Sequence, residues 1–395
     1  MTEAPESATS DHSITAPLRY PVFRRIWLAS LLSNLGLLIQ GVGAAWAMTQ
    51  MTPSADKVAL VGNSRGGNSI RFYIKDGGGA DVSHAVLCGV PNHGVYDWDE
   101  NLGNEFNGRG PFLRGLNAGE SEVVDGTAFL TLRSDGMDKY GQADGRFVGK
   151  PGAPTGVTSD GPALKGATNL VLGAIDHRET AFHPRAFREI YKFIAGREPS
   201  RIEIVPEAEV KLSGLVTGTP GGVQTNRPVG GATVEIYHVS PETGERSGGP
   251  IHASQTGADG RWGPAKVDPS WCLEMVLTSA GSTTTHFYRS PFPRSSDVVH
   301  LRAARPLGPA DAGAGAVVIM SRPRGYFGLP RDVVLLDGKE PTDVKPGVPT
   351  DSVSTLRLPA TDAGRPVVAL FNGERIVARG WPASENRIAV AELSY

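Results

Sequence analysis

Apolar runs along the chain alternate with turn-forming clusters, and the runs are of different kinds in different segments. Residues 26–48, opening Ile26-Trp27-Leu28 and closing Trp46-Ala47-Met48, carry no charge and have a tryptophan near each end. At ~1.5 Å per helical residue this length crosses a ~30 Å bilayer core, which predicts one transmembrane helix over 23–50. No second apolar run of that length follows. Between 57 and 200 the runs are short: Val58-Ala59-Leu60-Val61, Ala85-Val86-Leu87-Cys88, Ala128-Phe129-Leu130-Thr131-Leu132 and Asn169-Leu170-Val171-Leu172. Each of these short apolar runs reads as a strand. Phe187, Ile190, Tyr191 and Ile194 repeat at i, i+3, i+4 and i+7, with Pro184 suited to a first turn and Gly196 to an end, so a helix is expected there.

After Pro199 the pattern changes to short alternating strands about ten residues apart. Val210-Lys211-Leu212-Ser213-Gly214-Leu215-Val216 and Ala232-Thr233-Val234-Glu235-Ile236-Tyr237 are followed by the turn Gly257-Ala258-Asp259-Gly260 before Arg261-Trp262. This predicts a β-sandwich over 205–303. A Pro/Ala/Gly stretch over 304–315 has the composition of a linker, and a second β-rich unit is expected over 316–395. Residues 1–22 are polar and expected to be disordered. The predicted fold class is therefore α/β over 57–200, then β-sandwich domains, behind one N-terminal transmembrane helix.

The candidate chemistry begins where the first short strand ends, in Gly62-Asn63-Ser64-Arg65-Gly66. A strand, a G-x-S-x-G turn and a helix hold a serine at a sharp bend, where side chains at Gly62 or Gly66 are expected to collide with their surroundings. The helix N-terminus then faces the serine, and the Arg65 N–H is placed to donate to an oxyanion. A serine hydroxyl needs a base, and the base needs a carboxylate to fix its tautomer. The strand at 128–132 is followed by Asp135 and Asp138, and the strand at 169–172 by Asp176-His177-Arg178-Glu179. Ser64 is thus the candidate nucleophile, His177 the base and Asp138 the orienting acid, with Asp135 the alternative. His93 precedes the acid loop and is read as part of the site wall. A Gly/Asn-rich excursion over 91–123 carries Tyr96, Trp98, Phe106 and Phe112, which are either substrate-facing or packed on the core.

At these residues a resemblance becomes specific. Gly-Asn-Ser-Arg-Gly-Gly at 62–67, Val-Pro-Asn-His-Gly at 90–94, Pro-Phe-Leu-Arg-Gly-Leu-Asn at 111–117 and the acid and histidine loops resemble the second half of a secreted bacterial lipase of the α/β-hydrolase superfamily. The resemblance implies carboxylic ester hydrolysis through an acyl-enzyme, with an ester or lipid substrate. Residues 17–61 resemble the first transmembrane helix of major facilitator superfamily exporters, which implies a fused gene joined near Val58. The layout after 205 looks like the prealbumin-like accessory domains of secreted enzymes.

The fusion has physical consequences. The first half of such a hydrolase sheet is not in the preceding sequence, so the strand at 57–61 is expected to lie at an exposed edge and one oxyanion donor to be lacking. Turnover is accordingly expected to be weak. The competing reading is a non-enzymatic, membrane-anchored β-rich binding protein, the remnant of a transporter–hydrolase fusion. Arg24 and Arg25 before the apolar run place the N-terminus in the cytoplasm and the bulk of the chain in the periplasm or outside the cell.

Charge and cysteines remove other classes. With 39 basic and 41 acidic residues the net charge is −2, and no nucleic-acid surface is expected. No metal-ligand spacing or phosphate-binding glycine loop is found, so no metal or cofactor is expected. Protein partners are not specified by the sequence. The two cysteines, Cys88 and Cys272, fall in different units, and Cys88 within an apolar strand is read as a buried free thiol.

Overall fold

The structure is a computed structural model that describes residues 57–220 and 223–394. The expected disordered segment 1–22 and the expected transmembrane helix 23–50 lie outside the described residues.

The first unit is built on four strands, β1 (Val58–Asn63), β2 (Val82–Cys88), β3 (Ala128–Ser134) and β4 (Thr168–Leu172). They pair in the order β1-β2-β3-β4, all parallel, with Leu60 opposite Ala85, Val86 opposite Leu130 and Leu132 opposite Leu170. Helices α1 (Arg65–Lys75), α2 (Pro111–Leu116), α3 (Glu179–Phe182) and α4 (Pro184–Ala195) complete it. The alternation of side chains splits the core into two clusters. Ala85 and Leu87 pack with Ile74 of α1, while Val86, Cys88, Leu130 and Leu132 pack with Ala186, Ile190 and Ile194 of α4. Helices α1 and α4 each offer one apolar stripe to one face, which is why the central strands β2 and β3 carry apolar residues on both faces. Among the described residues β1 is the outer strand and pairs with β2 alone.

The remainder is all β. Strands β5 (Val210–Thr217), β6 (Thr233–Val239), β7 (His252–Gln255), β8 (Arg261–Val267), β9 (Cys272–Thr278), β10 (Thr284–Arg289) and β11 (Leu301–Arg302) are followed by β12 (Ala316–Ser321), β13 (Val334–Leu336), β14 (Val353–Leu358), β15 (Pro366–Phe371), β16 (Glu374–Arg379) and β17 (Arg387–Glu392). They form one seven-stranded sheet, β14-β12-β17-β10-β9-β6-β7, and two three-stranded sheets, β11-β5-β8 and β13-β15-β16. The large sheet is buried on both faces. Leu273, Phe287, Val317, Ile319, Ile388 and Val390 join Leu212 and Trp262 of the first small sheet. Tyr288, Val318, Met320, Ala389 and Ala391 join Val367, Phe371 and Ile376 of the second.

Two expectations are corrected here. The described residues are mostly β, with 33% strand against 16% helix, and the α/β part is confined to four strands. Among the described residues no helix is long and apolar enough to cross a membrane, because the longest are surface helices with one apolar face. The segments expected as separate β units over 205–303 and 316–395 share the seven-stranded sheet. β17 pairs in parallel with β10 on one side and β12 on the other, so the 304–315 stretch connects two parts of a single sheet.

Candidate active site

Every loop that carries a candidate residue leaves the carboxyl end of a parallel strand, so all of them meet at one edge of the four-stranded sheet. Ser64 follows β1 and holds φ 54° and ψ −127°, a left-handed conformation that a side-chain-bearing residue adopts only when its surroundings impose it. The surroundings do so at two glycines. A Cβ on Gly62 would stand 2.7 Å from Ile70 Cδ1 and 2.8 Å from the backbone of Gly66 and Gly67, and one on Gly67 would stand 2.1 Å from Val90 Cγ2. The expectation for Gly66 is corrected: a Cβ there meets nothing within 4 Å, because that position faces outward from α1.

The bend is tied to the neighbouring loops. Ser64 N–H donates to Cys88 O at 2.9 Å. The Asn63 amide donates to Cys88 O at 2.9 Å, to His177 O at 3.2 Å and to Thr180 Oγ1 at 3.3 Å. Thr180 Oγ1 itself donates to His177 O at 2.7 Å. Gly89 lies so close beneath that a Cβ would stand 3.1 Å from His177 O and 3.2 Å from His177 Nδ1.

His177 Nδ1 is 2.8 Å from Asp138 Oδ2, with both side chains largely buried. A carboxylate accepts only, so Nδ1 carries the proton and Nε2 keeps its lone pair for the cavity. The other oxygen, Asp138 Oδ1, accepts the Tyr140 N–H at 2.8 Å, and the Tyr140 ring stands edge-on to the imidazole with centroids 4.7 Å apart. Asp135 is occupied elsewhere. Its Oδ1 accepts the Met137 N–H at 3.1 Å and its Oδ2 the Ala174 N–H at 2.8 Å, so it fastens the acid loop to the histidine loop without reaching His177.

Ser64, Asp138 and His177 all line one cavity of about 840 Å³. Tyr96 and Trp98, stacked at 4.4 Å, and Phe106 line it as well, whereas Phe112 packs on Phe72 outside it. His93 forms part of the wall, 3.1 Å from Glu122 Oε1. The Arg65 backbone begins α1, where first-turn amides have no intrahelical acceptor. Its side chain pairs with Glu105 at 2.8 Å and covers the Phe106 ring, pinning the excursion to the bend. Arg71, buried in α1, braces the base of that excursion through Asn92 O and Asn117 Oδ1, and burial lowers its pKa to about 10 against the pull of Glu122. Cys88 is a free thiol, which burial pushes up to about 12.

The acids flanking His177 reach into the β unit. Asp176 Oδ2 accepts Arg322 Nη1 at 3.0 Å and the Tyr326 N–H at 2.7 Å, and Glu179 Oε2 accepts Arg331 Nη1 at 2.8 Å. Burial and the Glu179 charge push Asp176 up, while burial of Glu179 is outweighed by Arg322 and Arg331, which keep it below the usual carboxylate range. Lys139, next to Asp138, lies 4.2 Å over the Tyr326 ring. Sequence reasoning singled out neither this cluster nor Asn63. The one available signal was a pair of acids on either side of His177, between an apolar strand and the helix that follows it, and buried acids there require cations from elsewhere.

Comparison with known proteins bears on segments of the chain. No curated protein matches it. Among solved structures, catechol 1,2-dioxygenase from Acinetobacter sp. ADP1, inhibited by bound mercury, is 12% identical, and the match covers 33% of this chain and 62% of that one at a TM-score of 0.15, too low to argue from. Residues 12–81 match a family described as transmembrane secretion effector, a segment that runs through β1 and α1 and associates this part of the chain with membrane proteins. Residues 208–306, from β5 to β11, match the lipase C-terminal domain family. Two unrelated family segments in one chain are consistent with a fusion, and the second relates the chain to lipases.

Proposed function

We propose that this protein is a serine carboxylic ester hydrolase acting on an ester or lipid. Ser64 Oγ attacks the carbonyl, His177 Nε2 takes its proton and later returns it to the leaving alcohol, and Asp138 fixes the tautomer and stabilises the imidazolium. Water then releases the acyl group by the same route. The observation that carries the reading is the 2.8 Å contact of Asp138 Oδ2 with His177 Nδ1 in a cavity that also holds Ser64 on a strained bend. The lipase C-terminal match over 208–306 supports the substrate class.

The Arg65 N–H is the one oxyanion donor assigned. A hole short of one donor is slower by about 10²–10³, so slow turnover is expected. We infer that the hydrolase unit lies on the outer side of a membrane with which residues 12–81 associate, as Arg24 and Arg25 direct. A C-terminal reporter active only in the cytoplasm overturns that orientation. The chemistry is tested by fluorophosphonate labelling with mass spectrometry. An adduct on Ser64 that is lost in His177→Ala supports the reading, and a folded protein that takes no adduct overturns it.

A further inference from the structure

Six acidic, basic or histidine side chains line the cavity at Ser64, and five of them have a partner of opposite charge. His93 meets Glu122 at 3.1 Å, Asp97 meets Arg109 at 2.9 Å, Lys150 meets Glu100, and Asp138 and His177 meet each other. Arg133 is different. It stands at the carboxyl end of β3, opposite Val171, and has no ion pair among the described residues. Its Nη1 donates to Gly161 O at 2.6 Å, and its Nε is buried without an acceptor. A guanidinium is always charged, and Nε–H with a neighbouring Nη–H forms the edge that receives a carboxylate in a two-bond fork. A buried donor left unmade is costly, and a bound anion would remove that cost.

We propose that Arg133 is the residue that receives a carboxylate of the substrate, which makes the substrate a half-ester of a dicarboxylic acid. The ester carbonyl lies at Ser64 and the free carboxylate at Arg133, with the intervening methylenes along Val90, Val95 and Phe106 of the same cavity. Hydrolysis consumes one water and releases the alcohol and the dicarboxylate. The inference rests on the esterase reading for its substrate but not for its binding site, and the test separates the two.

Adipate and neutral adipamide are titrated calorimetrically into the full chain and into Arg133→Met and Arg133→Lys, with circular dichroism to verify folding. Hydrolysis of monomethyl adipate and methyl hexanoate is followed in parallel. Adipate is expected to bind the wild type more tightly than adipamide, and Arg133→Met to weaken adipate by about tenfold or more. Arg133→Lys retains part of the preference because the charge stays while the fork is lost. The ratio of kcat/KM for the half-ester over the neutral ester is expected to fall by a similar factor in Arg133→Met, through KM. Adipate binding that ignores Arg133→Met, or an equal loss on both esters through kcat, overturns the inference, the latter by placing Arg133 at the reacting carbonyl. Binding of inorganic phosphate in preference to adipate overturns it as well. Arg133-dependent adipate binding in a chain that hydrolyses neither ester upholds the carboxylate site and overturns the esterase reading alone.

Discussion

Arg322 Nη1 donates to Asp176 Oδ2 at 3.0 Å across 146 positions of sequence, and Asp176 is the residue immediately before His177. The loop that presents the candidate base is therefore held by the β unit as well as by its own strand. A cover that merely sheltered the four-stranded unit would need no buried ion pairs at that place.

Removing Arg322 leaves the buried Asp176 and Glu179 with Arg331 as their shared cation, 3.6 Å from Asp176 Oδ2 and 2.8 Å from Glu179 Oε2. Arg322→Met is expected to cost up to about 3 kcal/mol of stability, read as a lower urea midpoint, and to slow labelling of Ser64. Unchanged stability together with an unchanged labelling rate would show that the pair does not hold the loop.

The two candidate acids separate cleanly. Asp138→Asn keeps the shape but favours the wrong imidazole tautomer, and ester hydrolysis is expected to drop on the order of 10⁴-fold. Asp135→Asn loosens the Ala174 contact and is expected to lower the thermal midpoint with a far smaller effect on rate. Steady-state kinetics on both variants distinguish the roles, and the reverse order of effects would make Asp135 the acid.

Glycine substitutions test the bend itself. Gly66→Ala meets open space inside α1 and is expected to be neutral or to stabilise by up to about 1 kcal/mol. Gly62→Ala and Gly67→Ala force atoms into Ile70, the α1 backbone or Val90 and are expected to destabilise by about 1–3 kcal/mol. Denaturant melts of the three variants provide the comparison.

Acid is expected to weaken the β unit in two stages. His286 Nδ1 is 2.7 Å from Glu274 Oε1, deep in the sandwich, and burial pushes the His286 pKa below 6.5 despite the pull of Glu274. Burial opposes ionisation of Glu274, but His286 and Arg246 outweigh it and hold it below 4.5. Both folded values are lowered, so each contribution is full above the unfolded value and is lost as pH falls through the folded one. The thermal midpoint should begin to fall as pH drops through the ordinary histidine range, first by the histidine, and fall further by the carboxylate once pH drops below the ordinary glutamate range. His286→Asn should flatten the first slope, and an unaltered slope would assign it to other histidines.

The sequence made part of this arrangement legible, and the physical reason is the parallel sheet. Once four apolar strands run the same way, their following loops share one edge, and Ser64, Asp138 and His177 are brought to one cavity by topology alone. The distinction between Asp138 and Asp135 was not legible, since both sit in one loop and only the backbone path decides which carboxylate turns inward. Asn63 carried no signal, because its partners Cys88, His177 and Thr180 are remote in sequence. The expected division of the β region failed for a related reason. Alternating strands show which face is buried but not which neighbour pairs, so Ile388 and Thr285 give no hint that they lie opposite each other.

The place of β17 has a consequence for how the protein is made. This strand, over Arg387–Glu392, is the last of those described to leave the ribosome, yet it sits between β10 and β12. Until it arrives, the facing edges of β10 and β12 stand open, and the two groups of strands have no shared ladder. Nascent chains arrested short of Glu392 should therefore expose those edges to chaperones and to one another, and synthesis through that residue closes the sheet.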